Sequence, residues 1–252
     1  MMMKKKLLVT DLDGTFVKNS QEVAKKDREF LIQIKSDMHL GIATGRSVKE
    51  IEYIEQQIQT TVDVKIGFNG GLIEVAGKKA FEAFIDRKNL ADLLFYIQSN
   101  DLVYDALDGK RRIGTYVTED KGRVWNVHLI KPQDMFAEIL PLKIYKINIR
   151  PETGRCDNVL AQLQNHFPNL SICKSGPRRI EITPSAITKG SAIEFICKKE
   201  SLEVIAVGDS ENDISMFQAA KKSFCLSHAS QEVQAQADII IDNFYEVGKF
   251  ID

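Results

Sequence analysis

Short apolar runs and helix-spaced apolar positions alternate along the first part of the chain. Lys6–Thr10 (KLLVT), Met38–Thr44 (MHLGIAT) and Val62–Gly67 have the length and content of buried strands. Between them, Glu22–Ser36 carries Val23, Phe30, Leu31 and Ile34 near the 3.6-residue period, which predicts a helix. Ser47–Gln57 predicts another, with Ser47 as N-cap and Glu50 three residues on, the spacing of a capping box. The rhythm returns near the end of the chain. Helices are expected over Thr188–Lys199, Asn212–Ala220 and Gln231–Gln236, and strands over Val204–Gly208, Ser223–Leu226 and Ile239–Ile241. Strand–helix alternation with short loops predicts an α/β fold with a mainly parallel sheet.

The middle follows a different pattern. Longer, more polar strands are expected over Leu102–Leu107, Arg123–Ile130 and Lys143–Arg150, with helices over Arg87–Gln98 and Arg155–Phe167. Five of the six prolines fall here. Residues 77–182 hold 17 basic and 13 acidic side chains, whereas the rest holds 17 and 22. These shifts predict a discontinuous Rossmann-like parallel-sheet core, residues 1–76 and 183–252, interrupted by an inserted α+β domain at 77–182.

Composition excludes several classes. At 44% hydrophobic and 27% charged residues the chain can build a packed core and is not disordered. A net charge of −1 gives no electrostatic case for nucleic acid or a membrane surface as partner. The start offers only Leu7, Leu8 and Val9 before Asp11, too short for a signal peptide, so a cytoplasmic location is expected. Cys156, Cys173, Cys197 and Cys225 form no CxxC pair and read as free thiols.

Candidate chemistry gathers at strand ends, where open α/β sheets bind ligands. Asp11-Leu12-Asp13-Gly14-Thr15 ends the first strand, and two carboxylates so close repel unless a cation or proton is shared. Hard oxygen donors of this kind suit Mg²⁺. Ala43-Thr44-Gly45-Arg46 puts a hydroxyl and a glycine before a helix start, which suits phosphate. Lys189-Gly190 opens a late helix, where the helix dipole does not favour a lysine. Gly208-Asp209-Ser210-Glu211-Asn212-Asp213 ends another apolar strand. Each segment alone is equally readable as a turn, a capped loop or a surface lysine. Together, in this order, they supply carboxylates for a cation and then a hydroxyl, an ammonium and an amide for phosphate.

With DLDGT (11–15), ATGR (43–46), TKG (188–190) and GDSENDISM (208–216), the sequence resembles the haloacid dehalogenase superfamily of aspartate-nucleophile phosphatases. Phe68-Asn69-Gly70-Gly71 is similar to a turn of its Cof-type, type IIB branch, which carries a large α+β cap. The resemblance covers essentially the whole chain. It implies that Asp11 attacks phosphorus to form an aspartyl-phosphate and that Asp13 is the acid–base group. It implies Mg²⁺ held by Asp11, the backbone carbonyl of Asp13 and Asp209. Leu12, Thr44, Gly45, Lys189 and Asn212 become the phosphate-side positions, and Asp213 a support for Lys189 or metal-bound water. Only 28 residues separate Thr15 from Thr44, so the cap must follow Thr44 and precede Lys189. The substrate implied is a small phosphorylated metabolite, a sugar phosphate or phosphorylated cofactor, with Arg123, Arg178 and Arg179 as cap contacts and Lys110, Arg111 and Arg112 as further candidates. A phosphomutase of the same branch, or a non-hydrolytic phosphoryl receiver, is the alternative. One departure stands out: Ser227-His228-Ala229 occupies a place where the family often has Asn-Ala.

Overall fold

The computed structural model describes residues 5–18, 22–118 and 127–251. Its centre is an eight-stranded sheet in the order Ile239–Ile241, Lys222–Leu226, Leu202–Gly208, Lys5–Thr10, His39–Ala43, Val64–Gly67, Leu72–Val75, Lys78–Glu82. The strands from Ile239–Ile241 to Val64–Gly67 run parallel. The last two turn back as an antiparallel hairpin. Lys5–Thr10 is buried on both faces: Leu8 joins one apolar cluster, while Leu7 and Val9 join another. That burial explains why it reads as an unbroken apolar run. The sheet winds from it toward His39–Ala43 on one side and, later in the chain, toward Leu202–Gly208 on the other, so its carboxyl end is a topological switch point.

The capping box at Ser47 and Glu50 is present, opening the helix Val48–Ile58. The helix expected from Glu22 starts later, at Lys25, because Glu22–Val23 pairs with Val17–Lys18 as a small hairpin. The expected helix over Asn212–Ala220 splits into a 3-10 turn, Glu211–Asp213, and the helix Ile214–Ala219.

A second, six-stranded sheet has the order His128–Ile130, Arg111–Gly114, Tyr104–Leu107, Lys146–Ile149, Ile180–Pro184, Leu170–Lys174. Arg87–Ser99, Met135–Ile139 and Cys156–His166 are the helices of this layer. Strand alternation sorts its residues by face. Ile147, Ile149, Ile180, Ile182, Ala106 and Ile113 go to the helix side and its apolar cluster. Asp105, Arg112, Lys146, Asn148 and Glu181 share the opposite side, and Arg112, Lys146 and Glu181 line a crevice against the first sheet. Phe68 and Tyr145 anchor that contact, their rings stacked 4.6 Å apart. Lys78–Glu82, inside the span expected for the insertion, pairs into the first sheet, and Ile180–Pro184 runs across the expected boundary at 182. No described helix is long and apolar enough to cross a membrane.

Candidate active site

Three strands of the large sheet end together. Lys5–Thr10 delivers Asp11, whose backbone N–H donates to the carbonyl of Val207 at 2.9 Å. His39–Ala43 delivers Thr44 and Gly45, and Leu202–Gly208 delivers Asp209. Gly14 has φ +92, and a side chain there would strike the Asp209 carboxylate, so the Asp-Gly turn is what lets the two acidic loops meet.

Lys189 sits at the middle of the acids. Its Nζ donates to Asp11 Oδ1 and to Asp213 Oδ1, each at 2.6 Å, and its side chain is 0% exposed. Thr188 caps its helix through Ser191, which sets the first turn under the sheet edge. The other oxygen of Asp213 accepts the backbone N–H groups of Asp209 and Ser210, each at 3.0 Å. Asp213 is therefore spent on bracing Lys189 and the Asp209 loop. Thr15 Oγ1 donates to Asp209 Oδ1 at 2.5 Å, and His228 Nε2 lies 3.3 Å from Oδ2.

Asp11, Asp209 and Asp213 each offer an oxygen within 4.8 Å of the others. Burial, then the charges of Asp213 and Asp209, push the Asp11 carboxyl well above its ordinary range, although Lys189 pulls it down. The hydrogen bond to Asp209 raises His228. Burial opposes the Lys189 charge, but Asp11 and Asp213 outweigh it and hold the ammonium above its usual range. One internal cation thus faces three carboxylates, all hard oxygen donors, a set that fits a divalent ion such as Mg²⁺.

Above these groups the crevice is lined by Asp11, Asp13, Thr44, Gly45, Ser210 and Asn212 from one side and by Arg112, Lys146, Ser175, Arg179 and Glu181 from the other. Arg46 chelates Asp13, its Nε and Nη2 donating to the two carboxylate oxygens at 2.6 and 2.7 Å. Glu181 accepts from Lys146 Nζ at 2.8 Å, Asn69 Nδ2 at 2.6 Å and Asn212 Nδ2 at 3.2 Å. Burial works against the Glu181 charge, yet Lys146, Arg179 and Asn69 hold its carboxyl well below the usual range. The pair Lys146–Glu181 rests on Gly45: a Cβ there would lie 2.7 Å from Lys146 Nζ and 2.8 Å from Glu181 Oε1. About 20 Å³ of free space remains in the crevice, room for roughly one water.

Thus Asp11, Asp13, Thr44, Gly45, Lys189, Asp209, Asn212 and Asp213 converge. Leu12 follows Asp11 in the same loop, with its side chain in the core. Arg179 reaches the crevice, whereas Arg178 is exposed in the turn before the strand Ile180–Pro184 and does not line it. Lys110 is exposed and Arg111 pairs with Asp108 in its own loop. Arg123 lies outside the described residues. Sequence reasoning assigned no role to Lys146 or Glu181, and none beyond their motifs to Arg46 and Asn69. A signal existed for two of them: in KINIR and IEIT, the polar members of an apolar–polar alternation, Lys146 and Glu181, mark the face turned to the site.

Residues 8–251 match the haloacid dehalogenase-like hydrolase family. A putative phosphatase of Streptococcus pyogenes serotype M6 is 25% identical, over 93% of this chain and 92% of that protein. A 5-amino-6-(5-phospho-D-ribitylamino)uracil phosphatase of Bacillus subtilis is 22% identical, over 98% of this chain and 97% of that one. Among solved structures, that of the HAD subclass IIB sugar phosphatase BT4131 superposes with a TM-score of 0.83 at 18% identity, covering 98% of each chain.

Proposed function

The chain belongs to the haloacid dehalogenase-like hydrolases, and on that premise we propose that it is a Mg²⁺-dependent phosphatase of small phosphorylated metabolites that works through an aspartyl-phosphate on Asp11. The observation that carries this reading is the placement of Asp11. One oxygen is tied to Lys189 at 2.6 Å. The other accepts no hydrogen bond from a described residue, and Asp11 lines the crevice beside Thr44, Asp13 and Asn212.

In the first half-reaction an Asp11 oxygen attacks phosphorus and the bond to the leaving oxygen breaks, with Asp13 supplying its proton. In the second, water attacks the phosphoryl group, Asp13 accepts the water's proton, and the Asp11–phosphorus bond breaks. Lys189, Thr44, Asn212 and the backbone at Leu12 and Gly45 hold the phosphoryl oxygens. Mg²⁺, held by Asp11, the Asp13 carbonyl and Asp209, would offset the repulsion between phosphate and these carboxylates. Asp213 keeps Lys189 in place.

The inserted layer acts as a lid. A phosphorylated metabolite does not fit in about 20 Å³, so the six-stranded sheet must lift for entry and release. The segments between Glu82 and Arg87 and between Pro184 and Lys189 join it to the core. The Bacillus subtilis relative is named for 5-amino-6-(5-phospho-D-ribitylamino)uracil and the structural neighbour is named a sugar phosphatase, which supports small phosphorylated metabolites of this kind as the substrate class. The test is release of inorganic phosphate from a panel of phosphorylated sugars and cofactors, with Mg²⁺ and with excess chelator. Hydrolysis of none of them, or undiminished hydrolysis in chelator, refutes the proposal.

A further inference from the structure

A chain of buried charges joins the cap sheet to Asp13. Arg112, on the core-facing side of the cap, donates from Nη2 to Glu50 Oε1 at 3.1 Å. The same oxygen accepts from Arg46 Nη1 at 3.1 Å. The remaining face of the Arg46 guanidinium, Nε and Nη2, chelates Asp13 at 2.6 and 2.7 Å. The middle and the cap end of the chain are braced. Glu50 Oε2 is fixed by the backbone N–H and the Oγ of Ser47, each at 2.8 Å, so this carboxylate cannot turn. Asp105, 3.3 Å from Arg112 Nη1, is held in turn by Asn148 at 2.7 Å and Arg150 at 3.1 Å. Glu50 is 0% exposed, Arg46 7% and Arg112 8%, so each link acts at low dielectric and depends on the next.

We propose that Arg112, Glu50 and Arg46 form a positioning chain through which closure of the cap sets the orientation of the Asp13 carboxylate. The proposal rests on the reading of Asp13 as the acid–base group. Glu50 Oε1 is shared between a guanidinium of the core and one of the cap. With the cap lifted, Arg112 leaves and Glu50 attracts Arg46 alone, drawing it away from Asp13. With the cap down, Arg112 takes a share of Glu50 and the Nε–Nη2 face of Arg46 stays on Asp13. Plain fastening of the lid needs no such link, because the Lys146–Glu181–Asn69 contacts already tie the two layers together. The chain makes the acid–base group complete only when water is being excluded.

The experiment compares two esters of nearly equal size whose leaving groups differ in their need for a proton, phenyl phosphate and p-nitrophenyl phosphate. Both are measured with Mg²⁺ for the wild type, Arg112→Met, Arg112→Lys, and each in an Asp13→Asn background. General acid catalysis contributes about 10²–10⁴-fold where it is needed. Arg112→Met should therefore lower kcat on phenyl phosphate by about 10²-fold and on p-nitrophenyl phosphate only a few-fold. Arg112→Lys should recover part of that selectivity, and neither change should alter it further once Asp13 is gone. Equal losses on both esters, a change confined to KM, or an undiminished selective loss in the Asp13→Asn background overturns the proposal. If Arg112→Met does not fold, Arg112→Lys carries the test, since it keeps the charge with a shorter, single-point reach. A wild-type enzyme inactive on both esters refutes the phosphatase reading instead.

Discussion

Replacing Lys189 with methionine, a straight side chain of similar volume, removes the one ammonium among the three acids while leaving little cavity. The lysine holds Asp11 and Asp213 at 2.6 Å each and is fully buried. Removing one partner of such a buried pair leaves uncompensated charge and costs about 3–5 kcal/mol. For a protein of this size that is a fall in melting temperature of roughly 6–20 °C. The loss should depend on metal. Without Lys189, Asp11, Asp209 and Asp213 have no internal cation, so a divalent ion should bind the folded variant more tightly than the wild type. Mg²⁺ at a hundred times its dissociation constant stabilises by about 2.7 kcal/mol, enough to recover much of the deficit. Urea unfolding followed by circular dichroism, with Mg²⁺ and with chelator, measures both quantities. A variant as stable as the wild type in chelator, or one whose deficit Mg²⁺ leaves untouched, refutes the electrostatic account of the site.

Gly45→Ala places a methyl group where Lys146 Nζ and the Glu181 carboxylate now rest on the core, within 2.7–2.9 Å of their atoms. It should leave folding nearly intact, because those atoms are side-chain ends, yet raise KM or lower kcat at least ten-fold, about 1.4 kcal/mol, by propping the cap; unchanged kinetics refutes it. Acid should weaken the chain by releasing its buried carboxylates. Burial opposes the charges of Glu50, Asp105 and Glu181, but their arginine and lysine partners hold all three carboxyls below the usual range. Their contribution is complete above the unfolded values near about pH 4 and is lost as pH falls through the lower folded values. Because the raised Asp11 carboxyl works in the opposite sense, the reading is the difference in urea midpoint between wild type and Glu181→Gln, which should hold steady down to about pH 5 and shrink below about pH 4; a difference that stays level to about pH 3 contradicts the Glu181 ion pairs.

Much of the core could be read in advance because its signals are local. The apolar run before Asp11 and the Ser47–Glu50 box each depend on residues a few positions apart. The hairpin Leu72–Glu82 gave little warning: its turn holds Ala76 at φ +48 beside Gly77 at φ +72, and alanine does not announce a left-handed turn. The site divides in the same way. Asp11, Asp13 and Asp209 sit at strand ends that the pattern locates. Arg112 and Glu50 are 62 residues apart, and Asn69 and Glu181 are 112 apart. Those contacts exist only once the cap has docked, so no spacing in the sequence records them. Arg46 is a third case. It follows Thr44 in a recognisable motif, but the fold-back of its guanidinium onto Asp13 is set by Glu50 one helical turn on and cannot be read from its position.

The central claim is that Asp11 carries the phosphoryl group. Rapid acid quench of enzyme mixed with Mg²⁺ and a hydrolysed substrate, followed by proteolysis and mass spectrometry, reads it directly. The expected result is one phosphoryl group on the peptide containing Asp11, formed fast enough to account for turnover and absent from Asp11→Asn, which should have lost at least 10³-fold in kcat. Turnover with no adduct at any time point, an adduct on another residue, or an Asp11→Asn enzyme that keeps a tenth of the activity would contradict it.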